Sequence, residues 1–301
     1  MRALSVGNLL APALAQIARE VDAGFDALLP VPQDARASLV EAMRHATVGG
    51  GKRLRPLLLV ATAQLYGADR GQALRAGLAI EAVHAYSLVH DDLPCMDDDA
   101  MRHGKPSVHK AFGEAVAVLV GDALQALAFE IVTDPATSGD PFVRAELAHA
   151  LAMAAGGTGM VGGQAMDIAA VDTVFDLPAI TRLQQLKTGA LLGAAVEMGA
   201  ILAHVPHEGR RHLRGYAHDI GLAFQITDDL IDHEGDADRA GKAVGKDAAA
   251  GKATFVSLLG PERAREQARM LVDQAIAHLA SHGAEADLLR EVARFIVERD
   301  R

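Results

Sequence analysis

The sequence has little of several residue types, and each scarcity excludes a class of protein. There is no tryptophan, and the 301 residues include three tyrosines and eight phenylalanines. The one cysteine, Cys95, rules out an intrachain disulfide and a cysteine-cluster zinc site, and it fits a reducing compartment. Acidic residues outnumber basic ones, which gives a formal net charge of −10. A general nucleic-acid binder needs a basic surface, so we expect no nucleic-acid partner.

Long uncharged segments are also scarce. The longest stretch without Asp, Glu, Lys or Arg covers residues 147–166, and it contains His149 and five glycines, which would make a poor membrane-spanning helix. The apolar run after Arg2 has some features of a signal peptide, but its helical stripe continues to Leu28, past any cleavage site. The sequence therefore predicts no membrane span and a cytoplasmic location.

What the chain does contain favours helices. Half of the residues are hydrophobic, and Ala, Leu, Met and Glu, which lose little side-chain freedom in a helix, are plentiful. Nearly every segment has helical periodicity, with breaks at prolines and glycines and no strand alternation. We predict an all-α protein with one domain over residues 1–301, in which long antiparallel helices enclose a core. The predicted helices span residues 9–29, 36–47, 54–66, 71–92, 113–132, 141–155, 160–170, 177–203, 208–233, 252–282 and 285–299.

One glycine pattern points to a nucleotide site only superficially. Gly157, Gly159 and Gly162 spell the GxGxxG of dinucleotide-binding turns. The preceding segment, residues 146–155, has helical rather than strand periodicity, so the phosphate-binding context is missing. We interpret these glycines as a helix junction with close backbone packing.

The strongest chemical signal is a pair of aspartate clusters near the ends of two predicted helices. The first is HDDLPCMDDD at residues 90–99, and the second is TDDLID at residues 227–232. Carboxylates are unfavourable at helix C-termini and repel each other at i,i+3 and i,i+4 spacing. A solvated acidic surface is the alternative, but both clusters lie in apolar sequence. Hard oxygen ligands without His or Cys indicate magnesium, which takes one or two carboxylates and substrate phosphate oxygens.

Proline and basic residues complete the pattern. Pro94 should end the first helix near Asp92, so that the four-residue spacer returns Asp97 towards Asp91. Cationic side chains that suit a diphosphate occur after a glycine run, after each aspartate cluster and in a Gly-rich helical turn. Any one of them alone would be interpreted as a surface residue. They are Lys52, Arg53, Arg55, Arg102, Lys187, Lys242, Lys246 and Lys252.

Taken together, these residues resemble a known family. The landmarks are GKRLRP at 51–56, EAVHAYSLVHDDLPCMDDD at 81–99, GDALQALAF at 121–129, GGQAMD at 162–167, LKTGAL at 186–191 and FQITDDLID at 224–232. Over essentially its full length the chain is similar to the trans-isoprenyl diphosphate synthases (polyprenyl synthetases), and within them to the bacterial farnesyl type. The resemblance implies an isoprenoid-synthase fold with a central active-site cavity between helices, a homodimer, and condensation of isopentenyl diphosphate with an allylic diphosphate.

The same resemblance implies roles for individual residues. The expected magnesium ligands, for three ions with substrate bound, are Asp91, Asp97 and Asp228, with Asp92, Asp229 and Asp232 as further ligands or their hydrogen-bond partners. The expected clamp on the allylic diphosphate (dimethylallyl or geranyl) consists of Arg102, Lys187, Thr188, Gln225, Lys242 and Lys252. The expected isopentenyl diphosphate site consists of Lys52, Arg55 and His84.

Two positions bear on how this chain differs within the family. His103 stands where the family commonly has a second arginine that binds isopentenyl diphosphate, and neutral His offers one donor where Arg offers five. Tyr86 lies five residues before Asp91, about 7.5 Å deeper along the helix, where an aromatic ring would block a growing chain. We therefore predict a C15 product.

Three alternatives remain open. The first is a geranylgeranyl diphosphate synthase, and the second is a non-catalytic subunit of a heteromeric synthase. The third is a terpene cyclase, which would need a second metal motif rich in Asn, Ser or Thr and Glu.

Overall fold

The computed structural model describes residues 9–171, 173, 175–234 and 253–299. The chain divides into two compact units. The first unit comprises Ala11–His149 and Met198–His204, and the second comprises the described residues of Met1–Leu10, Ala150–Glu197 and Val205–Arg301. The single domain over residues 1–301 stays a prediction.

The first unit is built from helices and one small hairpin. Buried Phe25, Leu58, Ile80, Leu124 and Ile131 form part of its core. Asp69 begins α4 by accepting a hydrogen bond from the Gln72 backbone N–H at 2.9 Å, which satisfies one of the unpaired donors of the first turn. The elements are α1 (Leu10–Leu28), α2 (Ala37–Thr47), α3 (Leu54–Leu65), α4 (Arg70–Asp91), β1 (Met101–Arg102), β2 (Lys105–Pro106), α5 (Val108–Phe112), α6 (Glu114–Thr133) and α7 (Pro141–Ala155), the last of which continues into the second unit.

The second unit packs α11 along α13, with Tyr216 fully buried and its hydroxyl donating to the Leu289 carbonyl at 2.7 Å. Between α9 and α10 the helix widens into a π-helical turn, Gln185–Gly189, which we call the π-turn. The helices are α8 (Met160–Ala169), α9 (Leu177–Gln184), α10 (Ala190–Leu202, whose end lies in the first unit), α11 (Arg211–Glu234), α12 (Phe255–Leu259), α13 (Pro261–His278) and α14 (Asp287–Glu298), with 3₁₀ turns at His207–Arg210 and Ala284–Ala286.

Two predictions about the helices were wrong. The helix predicted over residues 252–282 is two helices, because Gly260 adopts a φ of +81° that ends α12, and Pro261 occupies the first turn of α13. Residues 99–112, left without an element, contain the antiparallel β1–β2 hairpin and the short α5. The other helices begin and end within a few residues of their predicted bounds.

One helix needs separate mention because of its apolarity. By length and composition α6 passes the test for a membrane span, and among the described residues it is the one helix that does so. Of its most apolar window, 44% is buried inside the protein, and the helix packs along α4. A core helix of a soluble protein passes the same test.

The GxGxxG residues form a helix junction, as predicted. A Cβ at Gly159 would clash with the Ala154 carbonyl, and one at Gly162 would clash with the Gly157 carbonyl. These glycines therefore permit close backbone packing between α7 and α8.

Candidate active site

The first aspartate cluster lies in the turn that Pro94 predicted. Helix α4 ends at Asp91, and the chain then folds back so that the Asp97 backbone N–H donates to the Asp91 carbonyl at 2.8 Å. The Asp98 N–H donates to the Leu93 carbonyl at 3.1 Å in the same turn. A straight helix would carry Asp97 away from Asp91, whereas this turn returns its backbone to the helix end.

Asp92 differs from Asp91 in what it contacts. It is buried, and its carboxylate accepts from Arg102, whose Nε lies 3.0 Å from Asp92 Oδ1. Burial raises the pKa of Asp92, and the hydrogen bond and charge of Arg102 oppose that shift. Arg102 also reaches Asp99 Oδ2 at 3.3 Å. Asp92 therefore holds the guanidinium of Arg102 in place beside the cluster.

The predicted isopentenyl diphosphate residues also come together in the first unit. Arg55 lies in the first turn of α3, and His84 lies on α4, partly buried. Desolvation, and then the positive charges of Arg55, His103, Arg53 and Arg102, hold the pKa of His84 well below its ordinary value. Arg53 is itself paired with Glu81 and Asp22, so Arg55 and Arg102 are the cations near the neutral imidazole that we expect to attract an anionic substrate. Lys52 is exposed at the entrance to α3.

His103 and Gly104 form the turn of the β1–β2 hairpin. Both have positive φ, +52° and +76°, as a two-residue hairpin turn of this hand requires. The imidazole lies against Gly50, where an added Cβ would be 3.3 Å from His103 Cδ2. Lys105 secures the hairpin by donating to the Val48 carbonyl at 2.7 Å. His103 is thus held over the glycine run that precedes Lys52.

In the second unit, the π-turn carries Lys187 and Thr188 in consecutive positions. Lys187 Nζ lies 2.8 Å from Asp167 Oδ2, and Thr188 donates to Gln225 Oε1 at 3.1 Å. π-turns inside helices are frequent at functional sites, because the extra residue redirects side chains. The predicted residues Lys187, Thr188 and Gln225 are therefore brought together.

Glycine permits this arrangement. A Cβ at Gly163 on α8 would overlap the Lys187 backbone, so α8 can approach the π-turn only without a side chain there. On the other side, a Cβ at Gly221 would lie 3.2 Å from Gly189 Cα. The π-turn is fixed between two close helix contacts.

The second aspartate cluster lies in the last two turns of α11. Asp228 and Asp232 are four residues apart on that helix and share a face, as predicted. Asp229 is buried, accepting from Gln225 Nε2 at 2.9 Å and from the Phe255 backbone N–H at 2.9 Å. Asp229 therefore connects α11 to α12 and orients Gln225. Lys242 and Lys252, with Lys246, lie outside the described residues.

Several contacts had little or no signal in the sequence. Asp167 belongs to the GGQAMD landmark, but its pairing with Lys187 was not predicted. Arg299 is the larger omission. Its guanidinium lies 2.8 Å from Asp228 Oδ1, donates to the Phe224 carbonyl at 2.8 Å and lies 3.8 Å from the centre of the Phe224 ring. Its side chain is 4% exposed, so it is a buried support for Asp228.

These contacts predict an effect of Arg299→Gln on metal binding. Because Arg299 orients Asp228, we expect the variant to need about tenfold more magnesium for half-maximal rate, the size seen when a residue supporting a metal ligand is lost. Calorimetric titration of Mn²⁺ into protein saturated with inorganic diphosphate should show the same weakening. Arg36→Gln, at an exposed ion pair with Asp34, is the matched control. An unchanged metal affinity with only a lower melting temperature would contradict the orienting role.

The donor set fits magnesium. All candidate ligands are carboxylates, which a hard cation prefers. Within the described ranges no three His, Cys, Asp or Glu side chains are grouped so as to hold a metal by themselves.

Comparisons with known proteins identify the family that the chain matches. The polyprenyl synthetase family model matches residues 36–293. Farnesyl diphosphate synthase of Escherichia coli K12 is 44% identical over 272 residues, 87% of this chain and 90% of that protein. Geranylgeranyl pyrophosphate synthase 11 of Arabidopsis thaliana is 42% identical over 268 residues, 87% of this chain and 74% of that protein.

A solved structure gives the same result for the fold. The apo crystal structure of an FPP/GFPP synthase from Zymomonas mobilis superposes with a TM-score of 0.88 at 59% identity, covering 96% of this chain and 98% of that one. The predicted all-α isoprenoid-synthase fold is confirmed. The chain belongs to the polyprenyl synthetase family.

Proposed function

We propose that the chain is a farnesyl diphosphate synthase, which joins isopentenyl diphosphate head to tail to dimethylallyl or geranyl diphosphate. The proposal is supported by similarity to farnesyl diphosphate synthases over most of both chains, together with the chemistry-bearing residues of the landmarks, which are present apart from His103 in place of an arginine. Both aspartate clusters are present, and Lys187, Thr188 and Gln225 lie together. A non-catalytic subunit would be expected to have lost some of these residues.

The residues divide the reaction between them. Arg102 and Lys187 would donate charge-assisted hydrogen bonds to the allylic diphosphate and stabilise negative charge as its C–O bond breaks. Magnesium bound by Asp91, Asp97 and Asp228 would neutralise further charge on the leaving group.

Arg55, Lys52 and His84 would hold the second diphosphate, so that the C4 double bond faces the allylic cation.

Carbon–carbon bond formation leaves a tertiary cation that must lose a proton. Within the described residues no side chain is an obvious base, and we assign the proton to the released diphosphate. Thr188 and Gln225, hydrogen-bonded to each other, would assist as polar neighbours of that oxygen. Water must be excluded while the cation lasts, because water would quench it.

Product length is proposed to depend on Tyr86. Relatives named for farnesyl and for geranylgeranyl products have almost the same overall identity, so local residues must decide the length. Tyr86 is 5% exposed, and its hydroxyl is buried without a hydrogen-bond partner in the described part of the chain. Its ring meets His90 edge-on, with centroids 5.9 Å apart. A rigid aromatic fixed one and a half turns below Asp91 suits a floor for a C15 chain.

Tyr86→Ala is therefore expected to shift the product to C20 or longer. Removing the ring opens the space along α4 into which the chain grows. Chromatography of dephosphorylated products measures the shift, and Tyr86→Phe, which keeps the ring, should still give C15. Unchanged C15 output from folded Tyr86→Ala would contradict the role.

A homodimer and a cytoplasmic location belong to the same proposal. Val118 and Leu119 on α6 are 44% and 52% exposed, and Phe142 is 82% exposed. Exposed apolar side chains on the successive helices α6 and α7 suit burial against a second copy. The dimer is tested by light scattering on the purified protein and on Leu119→Glu.

The function itself is tested by incubating purified protein with magnesium, labelled isopentenyl diphosphate and each allylic primer in turn. A dominant C15 diphosphate, lost on adding a chelator, is the expected result. A dominant C20 product would favour the geranylgeranyl alternative, and no condensation with any primer would favour the non-catalytic subunit.

A further inference from the structure

A cavity of about 480 Å³ lies in the second unit, away from the side chains discussed above. It is open to solvent on one side and is bounded by the end of α7, α9, the π-turn, α10 and α11, and its size falls in the range of small-molecule sites. Lys187, Thr188, Gln225 and the aspartates are not among its lining residues. Its apolar wall includes Met153, Ala154, Ala190, Ala194 and Leu222.

Gly193, in the middle of this wall, has no packing reason to be glycine. A Cβ at Gly193 would meet no atom within 4 Å, whereas one at Gly199, further along α10, would clash with the Leu59 carbonyl. Glycine inside a helix is about 0.5–1 kcal/mol less favourable than alanine. The space in front of Gly193 is therefore kept open at a cost to helix stability that packing within the described chain does not offset.

The rim of the cavity is cationic in a protein whose net charge is −10. Arg182 is exposed on the rim, with no ion pair to any described residue. Two further charged residues line the pocket, Glu197 and Arg214, and they pair with each other at 2.8 Å, so Arg182 is left as the surplus charge. The surplus positive charge suits an anionic head group, while the apolar wall suits a hydrocarbon chain.

The cavity also touches the back of the turn that carries Lys187 and Thr188. Gln185 and Gly189, the first and last residues of the π-turn, line it, and Gln185 Nε2 lies 3.0 Å from His218 Nε2 on α11. A molecule bound here would contact the turn that positions Lys187 and Thr188. Occupation of the cavity can therefore change catalysis without contacting a substrate.

We propose that this cavity is a second ligand site for an amphiphilic anion, a hydrocarbon chain of about 10–15 carbons with a phosphate or carboxylate head, in keeping with a pocket of this volume. The chain lies along Gly193 and Ala194, and the head group pairs with Arg182. The effect on catalysis rests on the proposed function, but the binding does not.

Calorimetric titration of the full-length protein tests the binding. The probes are dodecyl phosphate, dodecanoate and farnesyl monophosphate. Comparing the first two tests the head group, and comparing dodecyl phosphate with farnesyl monophosphate tests the kind of hydrocarbon chain. We expect dodecyl phosphate to bind the unaltered protein and Gly193→Ala alike. Gly193→Leu fills the cavity and should abolish this binding, while Arg182→Glu should weaken it about tenfold or more, the value of one charge-assisted hydrogen bond.

Several outcomes would overturn the proposal. One is binding that Gly193→Leu and Arg182→Glu leave unchanged, and another is no binding of any probe to the unaltered protein. A change of oligomeric state in folded Gly193→Leu, without any probe binding in the unaltered protein, would assign the space to a second copy of the chain. Arg182→Glu, an exposed substitution, keeps the test decisive if Gly193→Leu does not fold. Adding dodecyl phosphate should change the kcat of the unaltered enzyme without competing with either substrate. It should leave the kcat of Gly193→Leu unchanged.

Discussion

Asp91→Asn is expected to lower kcat by about 10²–10³-fold, the usual loss when one electrostatic element of an active site is removed. Asp91 ends α4, and the following turn returns the Asp97 backbone to it, and these two residues are the proposed first ligands of the metal. Asparagine keeps the size and removes the charge, and the melting temperature should change little. Steady-state rates over a range of magnesium concentrations measure the effect.

Asp92→Asn is the matched control, because it makes the same chemical change one residue away. Asp92 is buried against Arg102, and the substitution leaves that guanidinium with a neutral partner. We expect the free energy of unfolding to fall by about 1–3 kcal/mol, as for a buried hydrogen bond that loses its charged acceptor. Equal activity losses in both variants, with equal stability, would contradict the division of roles.

That division could not be predicted from the sequence. Pro94 and the spacing of the aspartates predicted the turn, because proline cannot continue a helix and the chain must bend near Asp92. Whether Asp91 or Asp92 faces Arg102 depends on the β1–β2 hairpin, which carries Arg102 back to α4. Two-residue strands leave no alternation to detect.

Two helical features, the break at Gly260 and the π-turn, escaped the periodicity for local reasons. Helical periodicity continues on both sides of Gly260, so the pattern predicts one helix, while the backbone at Gly260 takes a conformation that only glycine adopts readily. The π-turn is invisible to periodicity, since one additional residue in a helical turn leaves the apolar pattern almost unchanged.

Contacts between distant residues were the hardest to predict. Arg299 contacts Phe224 across 75 positions, and nothing in either segment indicates the other. Asp167 and Lys187 are 20 positions apart, in two landmarks that were recognised separately. The all-α class and the helix bounds followed from periodicity and from the prolines and glycines at the breaks, and the isoprenoid-synthase fold was implied by the family resemblance. The partners of each candidate side chain follow from packing instead.

His103→Arg is expected to lower KM for isopentenyl diphosphate about tenfold or more at pH 8. Desolvation, and then the charges of Arg102, Arg53 and Lys105, lower the pKa of His103, so the imidazole is neutral at that pH. Arginine stays charged and offers a fork of donors to the diphosphate, worth about 1.5–3 kcal/mol for a charged hydrogen bond. The left-handed φ of +52° suits His better than Arg, so a slightly lower melting temperature should accompany the gain.

The pH dependence of KM for isopentenyl diphosphate distinguishes the effect of charge at residue 103 from the effect of its side-chain shape. In the unaltered enzyme His103 gains a proton as the pH falls through its lowered pKa, and the new charge should lower KM for isopentenyl diphosphate only below about pH 6.5. His103→Asn tolerates the same backbone conformation and never carries the charge. Dividing its KM by the KM of the unaltered enzyme at each pH therefore removes the effect of the substrate's own titration, which is the same for both proteins. That ratio should rise towards low pH, whereas the ratio of KM in His103→Arg to that in His103→Asn should stay flat. Parallel profiles for all three proteins would mean that residue 103 does not meet the diphosphate.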